Sequence, residues 1–409
     1  MSTDIPAEHT PVVPPALLAI LCGVVAALHI GKMPPALPVL REALGVTLVQ
    51  AGFLLSMVQA AGMLGGALVG LAADAWGLRR SLLTGLCLLS VASFSGMAAQ
   101  APTHLLALRA LEGLGFLLVV LPAPSLVRQL VPPAQLALHL GLWGAYMPTG
   151  TAVALLAAPA AMAVVGWQGL WGGLGVLSAG MALWAWRAIP SDRLRALARP
   201  VAAAPTDTWR QRLRLTLTSR GPWLVAVAFA LYSSQWLAVV GFLPSVYAQA
   251  GLGGATAGAL TALVCAVNIS GNVGAGQLLH RHWPAQRLLT VGFVAMGLTA
   301  WLTFSPLTAD APVLRYVSCL AFSALGGLVP GTLFSLAVRV APNERTVSTT
   351  VGWIQQCSVT GQFVGPPLVA WLAVQAGGWH LTWVATGTAS LLGLVLVGLL
   401  AAHPSLKNQ

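Results

Sequence analysis

Charge is what this chain has least of. Only 7% of its 409 residues are charged, and just nine are acidic. An average soluble domain carries about 25% charged residues. A polypeptide this poor in charge cannot cover its own surface in water, so an ordinary soluble globule is excluded and most of the exterior must face lipid. Cysteine is also scarce. Cys22, Cys87, Cys265, Cys319 and Cys357 all fall inside apolar runs, without CxxC spacing and without histidine at ligand intervals. They read as small apolar packing residues rather than a disulfide framework or a metal site. Paired carboxylates, a nucleophile motif and a GxxxxGK[ST] phosphate loop are all missing. That argues against an enzyme and against ATP-driven work, and no metal or cofactor is expected. The first dozen residues lack a basic n-region and a cleavage site, so no signal peptide is expected and the first helix should be retained.

Apolar length is what the chain has in abundance. Hydrophobic residues make up 57% of it, and the mean hydropathy is +0.83. Apolar runs of about 20 residues, enough to cross a hydrocarbon core of about 30 Å, recur throughout. They predict helices at 15–40, 47–73, 80–99, 103–130, 134–165 and 168–190, then at 221–249, 255–279, 285–305, 311–340, 344–376 and 381–402. The expected fold is an all-α membrane protein of twelve transmembrane helices in two six-helix bundles. A tail covers 1–13, the first bundle 14–190, a linker 191–220 and the second bundle 221–403.

The net charge of +11 would suggest nucleic acid in a soluble protein. Here 16 of the 20 basic residues lie on one side of the helix map, and only Lys32, Arg41, Arg109 and Arg315 lie toward the other. Such a bias follows from the positive-inside rule and needs no partner but membrane lipid. Both termini are therefore expected in the cytoplasm of a bacterial inner membrane, and no nucleic acid is expected. A monomer is expected. The arginine-bearing linker reads as a partly amphipathic connection lying at the headgroups.

The chain also repeats itself. At an offset of 206 residues, Pro38 falls on Pro244, Gly45 on Gly251, Gly52 on Gly258, Gly65 on Gly271 and Gly70 on Gly276. Arg109 falls on Arg315 and Pro124 on Pro330 at the same offset, and after small insertions Gly166-Trp167 matches Gly378-Trp379. Glycines and prolines holding one register for more than thirty residues point to two parallel six-helix repeats, an architecture that places a binding site between the halves near the midplane.

The loop after the second predicted helix reads Gly70-Leu-Ala-Ala-Asp74-Ala-Trp-Gly77-Leu-Arg79-Arg80. This resembles the Gly-x-x-x-Asp-x-x-Gly-x-Arg-Arg loop of the major facilitator superfamily. The fourth helix carries Arg109-Ala-Leu-Glu112-Gly113-Leu-Gly115, similar to that family's Arg-x-x-Gln-Gly-x-Gly with Glu in place of Gln. The resemblance spans nearly the whole chain. It implies a secondary transporter working by alternating access, with Gly70, Asp74, Gly77, Arg79 and Arg80 as a cytoplasmic gate. Lys32, Pro34 and Pro38 in the first helix, Gly141-Leu-Trp143 in the fifth and Phe242-Leu-Pro244 in the seventh are similar to the cyanate/nitroimidazole-type porters of that family.

In the family the first, fourth, seventh and tenth helices line the central cavity. The resemblance thus implies Lys32, Arg109, Tyr232, Gln235, Trp236 and Arg315 as substrate-binding candidates. His29 and Glu112 are the protonatable groups for proton coupling. Three cations set against one acid, Glu112, are costly in a membrane unless an anion completes them. The expected solute is therefore a small organic or inorganic anion. A second reading within the same fold is a proton-coupled drug or metabolite efflux antiporter, although the fifth helix lacks the contiguous Gly-Pro seen in the family's drug/proton antiporters.

Overall fold

In a computed structural model, residues 13–65, 76–193 and 208–402 of the chain are described. Eleven helices among these residues are long and apolar enough to span a membrane. We label α1 Pro15–Leu44, α2 Leu48–Gly65, α3 Leu78–Met97 and α4 Pro102–Leu130. The next helix, Tyr146–Ala188, has 43 residues. At 1.5 Å per residue it would measure about 65 Å, twice the hydrocarbon thickness. It is two spans that meet at Gly166, where φ is 68° and ψ is 175°. Only glycine takes such a conformation without strain, so Gly166 replaces a loop. Residues 146–165 form α5, which the short helix Pro133–Gly144 leads into, and residues 167–188 form α6. The second half comprises α7 Arg220–Gln249, α8 Gly254–His280, α9 Ala285–Phe304, α10 Pro312–Val340, α11 Val347–Ala376 and α12 Trp379–Ala401. Twelve spans result among the described residues, close to those predicted from the apolar runs. An even count puts both described chain ends on one side, here called the terminal face; the other is the distal face.

Prolines set the bends. α1 is interrupted at Lys32, just before Pro34 and Pro35; neither proline can donate to the preceding turn. α4 breaks at Leu121-Pro122 and α10 at Gly327, equivalent regions of the repeat that precede Pro124 and Pro330.

Within each half the helices pack closely. α1 lies along α5, α3 along α4 and α6, α7 along α11, and α9 along α10 and α12. α11 approaches α7 through Gly361 and Gly365, whose missing side chains leave room for the Ala230 and Ser234 carbonyls. Small residues permit such contact where lipid gives no hydrophobic drive to association. Replacing Gly365 by leucine is expected to drive the helices apart at an overpacking cost of about 1–3 kcal/mol. A lowered midpoint of thermal unfolding in detergent would show it; an unchanged midpoint would refute the close packing.

The two halves meet through α2 with α11, α5 with α8, and the distal part of α1 with α7. Gly52 faces the Pro366-Pro367 backbone, Gly258 faces Leu155 and Pro159, and Gly241 faces Leu55. One apolar core cluster crosses this seam, with Met33, Leu37, Leu54 and Trp171 from the first half and Phe242 and Val369 from the second. Among the described residues, two side-chain hydrogen bonds also cross it. Gln59 Nε2 donates to Gln362 Oε1 at 2.7 Å, and Gln356 Nε2 donates to the Met63 carbonyl at 2.9 Å. The halves are thus sealed against each other over the distal part of their length.

Of the linker, the described portion includes a helix, Trp209–Thr218, opened by a Thr208/Gln211 capping box. Its buried Thr216 hydroxyl lies 3.4 Å from that of Thr350 on α11, while Trp209 and Leu215 remain exposed. All five cysteines are free.

Candidate functional site

Glu112 is the only buried acidic residue among the described residues, and the fold gathers cations around it. Lys32 Nζ lies 2.5 Å from Glu112 Oε1, and Arg109 Nη1 lies 2.5 Å from Oε2. Arg109 reaches Glu112 from one helical turn away, the i, i+3 spacing visible in the sequence. Lys32 arrives from α1 at the point where prolines interrupt that helix. All three side chains are essentially out of solvent.

The cluster is held by more than charge. Arg109 Nε donates to the Leu54 carbonyl at 3.0 Å, and Nη1 donates to the His29 carbonyl at 2.7 Å. Lys32 Nζ also donates to Ser93 Oγ at 3.3 Å and sits 4.3 Å from the centroid of the Trp171 ring. A desolvated cation over a tryptophan face gains on the order of 2 kcal/mol. Ser93 Oγ bridges to His29 Nδ1 at 3.2 Å and to Glu112 Oε1 at 3.3 Å. His29 Nε2 lies 2.8 Å from Ser178 Oγ on α6, and Nδ1 lies 3.6 Å from Glu112 Oε1. With the imidazole neutral, two cations share one carboxylate, leaving one positive charge in excess. Arg109 Nη2 is buried and has no hydrogen-bond partner among the described residues. Leaving an ion short of a partner in such a setting costs several kcal/mol.

Every member of this cluster comes from α1, α2, α3, α4 or α6. It is enclosed in the first half, beside the seam rather than across it. Ser93, Trp171 and Ser178 escaped the sequence reading, because a serine or tryptophan in an apolar run looks like packing. The repeat held a signal for one of them. His29 falls on Gln235 at the 206-residue offset, and Ser178 falls on Ser390 in the register set by Gly166-Trp167 and Gly378-Trp379. The structure makes both pairs. Ser390 Oγ donates to Gln235 Oε1 at 3.1 Å, matching the contact between His29 and Ser178.

The second half therefore carries a neutral counterpart of the ionic cluster. Lys32 falls on Ala238 and Glu112 on Ser318. Arg315, the equivalent of Arg109, finds no acid one turn away and turns to the connection between α9 and α10. There Nη2 donates to the Ser305 carbonyl at 2.7 Å and Nε to Thr308 Oγ1 at 3.2 Å. The structure thus joins Lys32, Arg109, His29 and Glu112, and holds Arg315 apart from them. Tyr232 and Trp236 belong to a third group. Asn268 Nδ2 donates to the Tyr232 hydroxyl at 3.0 Å and to the Ser323 carbonyl at 2.8 Å, and Trp236 Nε1 donates to Ser323 Oγ at 3.1 Å. Asn272 Nδ2 adds a bond to Asn268 Oδ1 at 2.9 Å. Gln235 Nε2 is buried without a partner among the described residues.

Of the five gate candidates, Gly70 and Asp74 lie outside the described residues. Gly77, Arg79 and Arg80 open α3 beside the end of α6. The Asp192 carboxylate accepts from the Arg79 amide at 3.0 Å and from the Arg80 amide at 3.2 Å, capping α3, and the Arg79 guanidinium donates to the Trp186 carbonyl. A carboxylate at a helix N-terminus satisfies free amides and complements the helix dipole.

Comparison with known proteins places this architecture. The sequence model of the Major Facilitator Superfamily matches residues 19–358. The chain belongs to that superfamily. A search of the curated proteins finds no match. Among solved structures, the chain is similar to a bacterial homologue of the human lysosomal transporter Spinster. In its inward-facing and unoccupied conformation the TM-score is 0.74 at 13% identity, over 95% of each chain. In the inward-facing and occupied conformation of that homologue the TM-score is 0.74 at 15% identity, over 95% of this chain and 94% of the other. A D-xylose-proton symporter is also similar, with a TM-score of 0.72 at 16% identity over 93% of this chain and 96% of that one. At such identities the likeness speaks for the fold. Membership in the Major Facilitator Superfamily makes the chain a multi-pass membrane transporter that acts on a small-molecule substrate.

Proposed function

We propose that the protein carries a small organic or inorganic anion by alternating access, through a site between its two halves. The observation that carries this reading is the excess positive charge around Glu112, where Arg109 Nη2 has no partner among the described residues. An anion that competes with Glu112 for Lys32 or Arg109 would correct the imbalance; a neutral or cationic solute would not. The short likeness to cyanate/nitroimidazole-type porters favours the same class of solute. Tyr232, Gln235, Trp236 and Arg315 are the proposed contributions of the second half to substrate binding.

Glu112 and His29 are the proposed proton carriers. They face each other across Ser93 and share its hydroxyl, so a proton passed between them changes the charge felt by Lys32 and Arg109 without leaving the cluster. The positive-inside bias supports cytoplasmic termini in a bacterial inner membrane. With the distal seam closed and the Glu112 cluster buried, access to the site is proposed to open on the cytoplasmic side. The loop of Gly70, Asp74, Gly77, Arg79 and Arg80 is proposed to gate that side.

Uptake of radiolabelled small carboxylates and inorganic anions into proteoliposomes tests this. At matched amounts of folded protein, K32A and R109A are expected to lower anion uptake at least about tenfold, the worth of one charge-assisted hydrogen bond. E112Q and H29Q are expected to abolish accumulation driven by a pH gradient while leaving anion exchange measurable. Undiminished anion transport by both K32A and R109A would sink the anion assignment; retained pH-driven accumulation by both E112Q and H29Q would sink the coupling.

A further inference from the structure

At the distal face a cleft of about 470 Å³ opens between the ends of α1 and α7, lined by Pro38, Arg41 and Glu42 on one side and Ser245, Ala248 and Gln249 on the other. Two buried donors on residues of its wall have no partner among the described residues: Ser245 Oγ, on a residue only 3% exposed, and Arg41 Nε. Buried polar groups in folded proteins are nearly all paired, so two unpaired donors on facing walls of one cleft require an explanation. Gln249 Oε1 already accepts from Trp379 Nε1 at 2.9 Å, which leaves its amide nitrogen to donate. No carboxylate lies within ion-pair distance of Arg41 among the described residues. A guanidinium, a hydroxyl and an amide NH₂ form a donor set suited to a carboxylate, which only accepts. Glu42 also lines the cleft and is exposed; its carboxylate opposes any anion there, and a dianion more than a monoanion.

We propose that this cleft binds a small monocarboxylate at the distal face. The site goes beyond the transport reading above and stands without it, since it shares no residue with the Glu112 cluster. Its walls belong to different halves: Pro38 in α1 and Gly45 just after it are the repeat equivalents of Pro244 and Gly251, which flank Ser245. A carboxylate bridging Arg41 and Ser245 ties the halves together where alternating access must part them. Occupancy therefore stabilises the distally closed state and slows the transport cycle.

Thermal unfolding of the purified full chain in detergent, with sodium acetate as probe against sodium chloride at equal ionic strength, tests the site. Ligand bound to the native state alone raises the midpoint in a saturable way. Acetate is expected to do so, with the half-saturating concentration about tenfold higher or more in R41Q and in S245A. S245A removes a single unpaired oxygen and so spares the fold. E42Q is expected to bind acetate at least as tightly as the unchanged protein, and K32M is expected to keep the shift. The proposal is overturned if acetate gives no shift beyond chloride, if R41Q and S245A respond like the unchanged protein, or if the shift vanishes in K32M instead.

Discussion

Replacing Glu112 by alanine is expected to be among the most damaging single changes available in this protein. The substitution leaves Lys32 and Arg109 buried together with no acid, and removing one partner of a buried ion pair costs about 3–5 kcal/mol. Two like charges then share a site from which water and lipid headgroups are both excluded. The companion change K32M should be milder, because Arg109 and Glu112 stay paired at 2.5 Å and methionine preserves the bulk against Trp171. The double variant E112A/K32M should recover part of the loss, since it restores the net charge of the native cluster. The measurement is the yield of monodisperse protein and its unfolding midpoint in detergent. A midpoint for E112A at or above that of K32M would show that charge balance does not hold this part of the bundle together.

Locking the distal seam is expected to stop transport almost completely. Gln59 on α2 and Gln362 on α11 meet by a 2.7 Å hydrogen bond across the two halves, and alternating access requires that contact to open and close in every cycle. In a background with the five native cysteines replaced, Q59C/Q362C treated with a short, reducible bifunctional thiol reagent should lose at least about nine-tenths of its uptake, and reduction should restore it. Each single variant treated in the same way should remain active. Transport that continues through a complete crosslink would mean the seam does not part, and the alternating-access reading would fail with it. Disulfide-type tethers of this kind act by geometry rather than by charge, so the outcome does not depend on which solute is carried.

Much of the architecture was legible in the sequence because lipid imposes a simple code. A span must be long, apolar and helical to satisfy its backbone, and hydropathy reports each of these properties. Glycine and proline made the repeat visible, since both act on the backbone itself: Gly45 and Gly251 both adopt positive φ, at 66° and 81°. The pairing of Arg109 with Glu112 followed from helical spacing alone. The division within Tyr146–Ala188 falls at Gly166, between the runs 134–165 and 168–190 read from the sequence, although the reversal uses one glycine instead of a polar loop.

The candidate site was less legible. Lys32 and Arg315 looked alike in sequence, as cations near the distal ends of their spans. Lys32 turns inward because Glu112, Ser93 and Trp171 are there to receive it, and Arg315 turns to Ser305 and Thr308 because Ser318 stands where an acid would be. Side chains of this length reach several partners, and which partner wins depends on residues far away in the chain.

By itself, then, the sequence determined the medium, the number and order of the spans, the two-fold repeat and the family. These depend on composition, local period and register, which the chain carries residue by residue. Only the tertiary structure decided that the ionic cluster is enclosed in the first half, that its counterpart in the second half is neutral, and that the halves are closed at the distal face. Those facts depend on which helices meet and at what angle. Contacts of that kind join residues as far apart as Gln59 and Gln362, and no local pattern encodes them.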